Sequence, residues 1–211
     1  WDRDLDLGGS THPEADHVSG LGDVLRQVRV GAVLTTGVVR SLPEAQEFTR
    51  LLAAKSIPTV FARAGQVFEF GDGVLLAVLN PATSVAGEAI EKTNDVGVVN
   101  RLVFGETAYL FMADASSVVE GRLVVGGAHV DADVLKVGHH GSKYSSSALF
   151  LRAVRPQVAV IQVGANNPYG HPTPETLGRL QDAHANVYRT DERGDVTVVS
   201  DGSRFTVEAS R

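Results

Sequence analysis

The stretch "THPEADHVSGL" at residues 11–21 sets two histidines, a glutamate and an aspartate within six positions: His12, Glu14, Asp16 and His17. Imidazole and carboxylate are ligands that Zn²⁺, Mn²⁺ and Fe²⁺ favour. Alternate residues of an extended segment share a side, so His12, Glu14 and Asp16 are expected to face one way. His17 follows where "HVSGLGDVLRQV" turns helical. Such a stretch suits two adjacent ions. The plainer alternative is a helix start with acidic capping and surface histidines.

Three later segments carry matching chemistry. "LFMAD" delivers Asp114 at the end of an apolar strand, where one carboxylate can bridge two metals; the alternative is an Asp capping the next helix. "DVLKVGHHGS" delivers His139 and His140 to a glycine-flanked turn. Adjacent histidines normally point to opposite sides, which makes one a ligand and the other a supporting group. Ser142, Lys143, Ser145, Ser146 and Ser147 then supply hydroxyls, a cation and a helix start, groups that suit phosphate oxygens. "NNPYGHPTPE" sets His171 between glycine and proline, with an exposed loop histidine as the alternative. Five of the seven histidines fall in these motifs, leaving His129 and His184 outside. All of the motifs lie at strand ends or in loops, where active-site groups are displayed.

Composition bounds the rest. The 211 residues are 43% hydrophobic and 21% charged, which is globular. The longest apolar runs, such as "VLLAVL" (74–79), reach strand length and fall far short of a membrane span. The acidic "WDRDLDLGG" opening has no apolar stretch of the signal-peptide kind. The chain is therefore expected to be soluble, within a parent that can still be membrane-bound. A net charge of −6 argues against nucleic-acid binding through bulk charge, so a phosphate-bearing substrate needs a local attractor such as a metal. With no cysteine there is neither a disulfide nor a thiolate site.

Periodicity predicts strands at 30–34 and 59–62, with a helix over 41–56 opened by the Ser41-x-x-Glu44 pattern. Hairpins are expected at 66–79, 96–114 and 195–209. Between them come a helix over 117–125 capped by Ser116, a strand at 133–137, a helix near 146–153 and a strand at 158–163. Thr173 and Pro174 open a helix to 184. No repeat or linker interrupts this order, so residues 1–211 are expected to form one α/β domain with sheets covered by helices.

"THPEADH", "FMAD", "DVLKVGHHGSKYSSS" and "NNPYGHPTPE", in this order, resemble the metallo-β-lactamase superfamily. More narrowly they are similar to the C-terminal hydrolase-like domain of ComEC/Rec2 DNA-uptake channel proteins. "WDRDLDL" and "VYRTDERGDVTV" add to that likeness. The resemblance implies an αββα sandwich with a dinuclear Mn²⁺ or Zn²⁺ site. One ion would take His12, Glu14 and His139, the other Asp16, His17 and His171, with Asp114 bridging. Asp16, Asp114 and His171 would serve the chemistry, and His140, Ser142, Lys143 and Ser145 the substrate. It further implies a metal-dependent phosphodiesterase or nuclease that degrades DNA, single-stranded by preference, during uptake. The domain would sit on the outer face of the cytoplasmic membrane, attached to a transmembrane channel. Alternatives are a hydrolase of small phosphodiesters and a non-catalytic DNA- or channel-binding module.

Some residues depart from the pattern. Glu14 replaces the usual Asp, and Met112-Ala113-Asp114 stands for Thr-Gly-Asp. Gly8-Gly9-Ser10 occupies the place of an apolar strand and reads as a joint, with the family's first strands absent. Tyr144 replaces a small residue and is expected to crowd or stack against a substrate.

Overall fold

A β-strand runs directly into the histidine-rich stretch. The computed structural model describes residues 4–211, and its first element is β1 (Asp4–Ser10). The first three residues of the quoted opening lie outside the described residues. Gly8-Gly9-Ser10 is thus strand, paired in parallel with Val33, Leu34 and Thr35. Pairing explains what local pattern hides: a Cβ on Gly8 would stand 3.4 Å from Val30 and 3.6 Å from Val33, so the bare backbone takes those side chains against it.

The described residues divide into two compact units. The first comprises the chain up to Ala64 together with Asn80–Val98; the second comprises Gly65–Leu79 and Val99–Arg211. In the first unit β1 is followed by α1 (Ala15–Val18), α2 (Leu21–Gln27), β2 (Arg29–Thr35), α3 (Pro43–Ala54) and β3 (Thr59–Phe61). The strands form a parallel sheet in the order β1-β2-β3. Helix α3 buries Ala45, Phe48, Leu51 and Leu52 at helical spacing, and Phe48, Leu51 and Leu52 cluster with Leu25 and Val33. Ser41 does not cap it. The helix begins two residues later, where Pro43 has the fixed φ that suits a first turn, and no side chain bonds the N-terminus.

The second unit contains β4 (Val67–Glu69), most of β5 (Val74–Asn80), β6 (Val99–Phe104), β7 (Thr107–Phe111), α4 (Ser117–Val125), β8 (Val134–Lys136), α5 (Ala148–Val154), β9 (Val158–Ile161), α6 (Pro174–Asp182), β10 (Asn186–Arg189), α7 (Thr190–Arg193), β11 (Val196–Ser200) and β12 (Phe205–Ala209). Strands β4 to β10 make a seven-stranded sheet in the order β10-β9-β8-β7-β6-β5-β4, and β11 and β12 make a separate hairpin. The hairpin strands pair antiparallel, whereas β7, β8, β9 and β10 run parallel. Parallel neighbours need crossovers, which α4, α5 and α6 supply. Leu110, Leu135, Ala159 and Ile161 of the central strands are sealed under Val119, Phe150, Leu151 and Leu180 of those helices. Ser116 caps α4, its hydroxyl accepting from the Val118 N–H, and Ser147 caps α5 by accepting from Phe150.

This topology positions the chemistry. Three consecutive parallel strands, β7, β8 and β9, deliver the loops at their C-terminal ends to the same sheet edge, where open α/β sheets bind ligands. Those loops carry Asp114, the His139-His140 pair and His171.

Candidate metal centre

Candidate ligands occur in both units, and each set is built within its own unit. In the first, the chain leaves β1 extended through Glu14 and turns helical at Ala15. The helix breaks the alternation expected to put His12, Glu14 and Asp16 on one side. His12 is fully buried, Glu14 is partly buried and Asp16 is exposed. One turn of helix instead brings His17 back to His12, their ring centroids 4.1 Å apart. The Thr11 hydroxyl lies 3.1 Å from His12 Nδ1 and 3.3 Å from His17 Nδ1, orienting both rings. Asp16 Oδ2 is 3.7 Å from His17 Nε2. Glu14 is engaged otherwise. Its Oε1 accepts from the Thr93 hydroxyl at 2.7 Å and pairs with Arg40 at 3.2 Å.

In the second unit Asp114 lies just beyond β7, 4% exposed. Two histidines meet its carboxylate: His139 Nε2 is 3.8 Å from Oδ2 and His140 Nε2 is 3.6 Å from Oδ1. Adjacent residues were expected to diverge. They converge because His139 (φ 47°) and His140 (φ 52°) are both left-handed, which coils the backbone tightly around the carboxylate. His140 Nδ1 is 2.7 Å from the Gln162 carbonyl, an arrangement that fixes a ring and leaves Nε2 to act. The His171 ring is 5.7 Å from that of His139. Its loop is clamped by Asn167, whose Oδ1 accepts from the His171 N–H and whose Nδ2 donates to the His171 carbonyl.

The loop after the histidines is tied from inside. Ser142 and Ser145, read from the sequence as phosphate contacts, are 2% and 1% exposed. The Ser145 hydroxyl bonds the carbonyls of Gly138 and Ser142, and Ser142 Oγ accepts from the Tyr144 N–H. Both are therefore structural in this loop. Lys143 and Tyr144 alone in this turn project outward.

Two further residues, silent in the sequence, hold the turn. Glu120 of α4, fully buried, accepts from the N–H groups of Ser146 and Ser147. Burial pushes its carboxyl above the usual carboxylate value, against the downward pull of those N–H groups and of Arg179. Arg179 of α6 donates to the carbonyls of Lys143, Ser145 and Ser146. The His171 loop is stitched to the same turn, Thr173 N–H donating to Gly141 O and the Thr176 hydroxyl to Ser142 O. Gly141 (φ +84°) is required there, because a Cβ would stand 2.6 Å from Pro172 Cβ.

These donor sets fit a metal. Among the described residues His171 Nδ1 is buried with no hydrogen-bond partner, a condition costing about 1–3 kcal/mol unless something coordinates it. Burial, with His139 and His140 nearby, pushes the His171 pKa below its usual value, which favours the neutral imidazole, the form that ligates. Imidazoles and carboxylates without thiolates suit zinc, manganese or iron.

Ala113, next to Asp114, has φ +47°. An L-residue there carries about 1–2 kcal/mol of strain that glycine escapes, set against glycine's larger entropy loss on folding. Ala113→Gly is expected to raise stability by up to about 1 kcal/mol, read as a higher urea midpoint at unchanged m. A lower midpoint would refute it.

The metallo-β-lactamase superfamily model matches residues 10–164, and the chain belongs to this superfamily, with its mixed α/β fold. The chain is similar to ComE operon protein 3 of Bacillus subtilis (strain 168), at 28% identity over 92% of this chain and 24% of that protein. It is also similar to competence protein ComA of Neisseria gonorrhoeae, at 32% identity over 91% of this chain and 25% of that protein. The chain thus spans about a quarter of the length of these relatives. Among solved structures, CmlA, a diiron β-hydroxylase from Streptomyces venezuelae, superposes with a TM-score of 0.58 at 15% identity, over 90% of this chain and 44% of that one. That likeness concerns the fold. No helix among the described residues is long and apolar enough to cross a membrane.

Proposed function

We propose that the chain is a metal-dependent phosphodiesterase acting on DNA, the nuclease domain of a longer competence protein. The observation that carries this reading is the buried, orphaned His171 Nδ1 in the loop next to a carboxylate met by two histidines. The cofactor of this reading is a pair of Mn²⁺ or Zn²⁺ ions; the candidate ligands are His12, Asp16 and His17 in the first unit, and Asp114, His139 and His171 in the second. When bound, such ions supply Lewis acidity at phosphorus oxygens and a water acidified toward neutral pH.

The chain's own groups prepare that chemistry. Asp114, placed just after β7, would hold the ions through its carboxylate. His140, fixed through Nδ1, keeps Nε2 toward Asp114. Lys143, which projects outward from the turn, would meet a substrate phosphate. Glu14 holds Thr93 and Arg40 through Oε1 and serves in this reading to keep the histidine-rich stretch in place, with Oε2 as the oxygen it could offer an ion. The names of the relatives support a role in DNA uptake, with a channel-bearing parent and an outer-face location as part of the same proposal.

Metal removal tests it. Chelation followed by dialysis is expected to abolish digestion of a labelled single-stranded oligonucleotide by the purified chain. Mn²⁺ or Zn²⁺ should restore it, with about two metals per chain in the active form. Oligonucleotide digestion that survives complete metal removal, or a chain that takes up no metal, would reject the reading. Cleavage of small phosphodiesters alone would move the substrate class.

A further inference from the structure

We propose that Tyr169 and Tyr144 are base-stacking residues that make the site specific for unpaired nucleic-acid strands. The inference rests on the phosphodiesterase reading for the presence of a substrate there. It goes beyond that reading by saying which residues read the bases.

Tyr169 is 79% exposed and Tyr144 64% exposed, both large rings left in water. Their placement is not that of scattered surface residues. The Tyr169 ring lies over the His171 ring, centroids 6.0 Å apart and planes 24° from parallel, so one of its faces is set by a candidate ligand and the other is open. Its hydroxyl has no hydrogen-bond partner among the described residues, so no polar contact explains its position. The backbone beneath is fixed by Asn167, which grips His171 through both amide atoms.

Tyr144 stands on the other loop of the same sheet edge. Its turn is fastened internally by Glu120, Ser145 and Arg179, and only Lys143 and Tyr144 project from it. Lys143 Nζ lies 5.3 Å from the Tyr144 ring centroid, which joins a cation to the rim of an aromatic plate. Because the two loops are stitched together at Gly141 and Ser142, the plates are displayed on one rigid support. A strand offers phosphate to Lys143 and flat base faces to the tyrosines. Stacking of this kind is tolerant of sequence and needs bases that are not already stacked in a duplex.

The test measures binding by fluorescence anisotropy with the metal chelated, so that hydrolysis does not intervene. The probes are a labelled oligo-dT strand, an abasic strand of equal length and a duplex. The wild-type chain is expected to bind oligo-dT more tightly than either of the others. Tyr169→Ala should weaken oligo-dT binding roughly five- to 150-fold and leave the abasic strand unchanged. Tyr169→Phe should keep wild-type affinity, since the plate remains, and Tyr144→Ala should act in the same direction as Tyr169→Ala. Both rings are exposed, so folding is not at issue, and unchanged melting temperatures check that. Equal binding of abasic and base-bearing strands, equal loss on both in Tyr169→Ala, or no strand binding at all would overturn the proposal. A protein partner for these tyrosines would produce that last pattern. Should oligo-dT bind as described while metal-loaded chain digests nothing, the stacking proposal stands and the nuclease reading falls.

Discussion

Asp114→Ala is expected to leave the chain unable to retain metal and unable to cleave DNA. The carboxylate is 4% exposed and lies within 3.6–3.8 Å of Nε2 of two histidines. Removing an outer supporting group of a metal site already costs 10- to 100-fold in affinity. Loss of a ligand proposed to touch both ions should exceed about 100-fold. Elemental analysis after dialysis reads the metal, and oligonucleotide digestion reads the activity. The melting temperature of the metal-free variant, close to that of metal-free wild type, separates a lost ligand from a lost fold. Full manganese-dependent digestion by this variant would end the bridging assignment.

Glu120→Ala is expected to destabilise the second unit by roughly 2–6 kcal/mol, because two N–H groups, of Ser146 and Ser147, lose their acceptor at about 1–3 kcal/mol each. The turn carrying His139 and His140 should loosen with it, so metal affinity falls although no proposed ligand is touched. Urea unfolding and metal titration of the same sample check both; stability within 0.5 kcal/mol of wild type, roughly the range of an ordinary surface change, would show that the network does not hold the turn. The pH dependence has a definite sign. Burial raises the folded-state pKa above the ordinary 4.5, so the native chain binds this proton more tightly than the unfolded chain. The group's contribution to stability is therefore greatest in acid. It falls as pH climbs from the ordinary carboxylate value through the raised one, and is flat above. Glu120→Gln should erase that slope.

Much of this architecture is written in local pattern. The three hairpins, the Ser116 and Pro174 helix starts and Asp114 beyond a strand follow from short-range periodicity and capping. Strand β1 was hidden because Asp-Leu alternation ending in Gly-Gly-Ser becomes a strand only through pairing with β2. Strand β10 is likewise a short edge piece, made by its partner β9. At the site, residue types were legible and directions were not. Asp16 left the expected side because a helix begins one residue before it, and His139 and His140 converged because both adopt a backbone that non-glycine residues seldom take. Glu120 and Arg179 look like ordinary helix residues. Their partners lie 26 and 33 positions away, beyond any local signal.

The tethering of the His139-His140 turn bears on protein engineering. Its shape is dictated by a carboxylate upstream on α4 and a guanidinium downstream on α6, with the Thr173–Thr176 seam alongside. A designer who transplanted "GHHGSKYSSS" alone onto a foreign scaffold would move the letters without the geometry. The smallest transferable cassette runs from Asp114 to Arg179, and within it these distant positions must be inherited as a set.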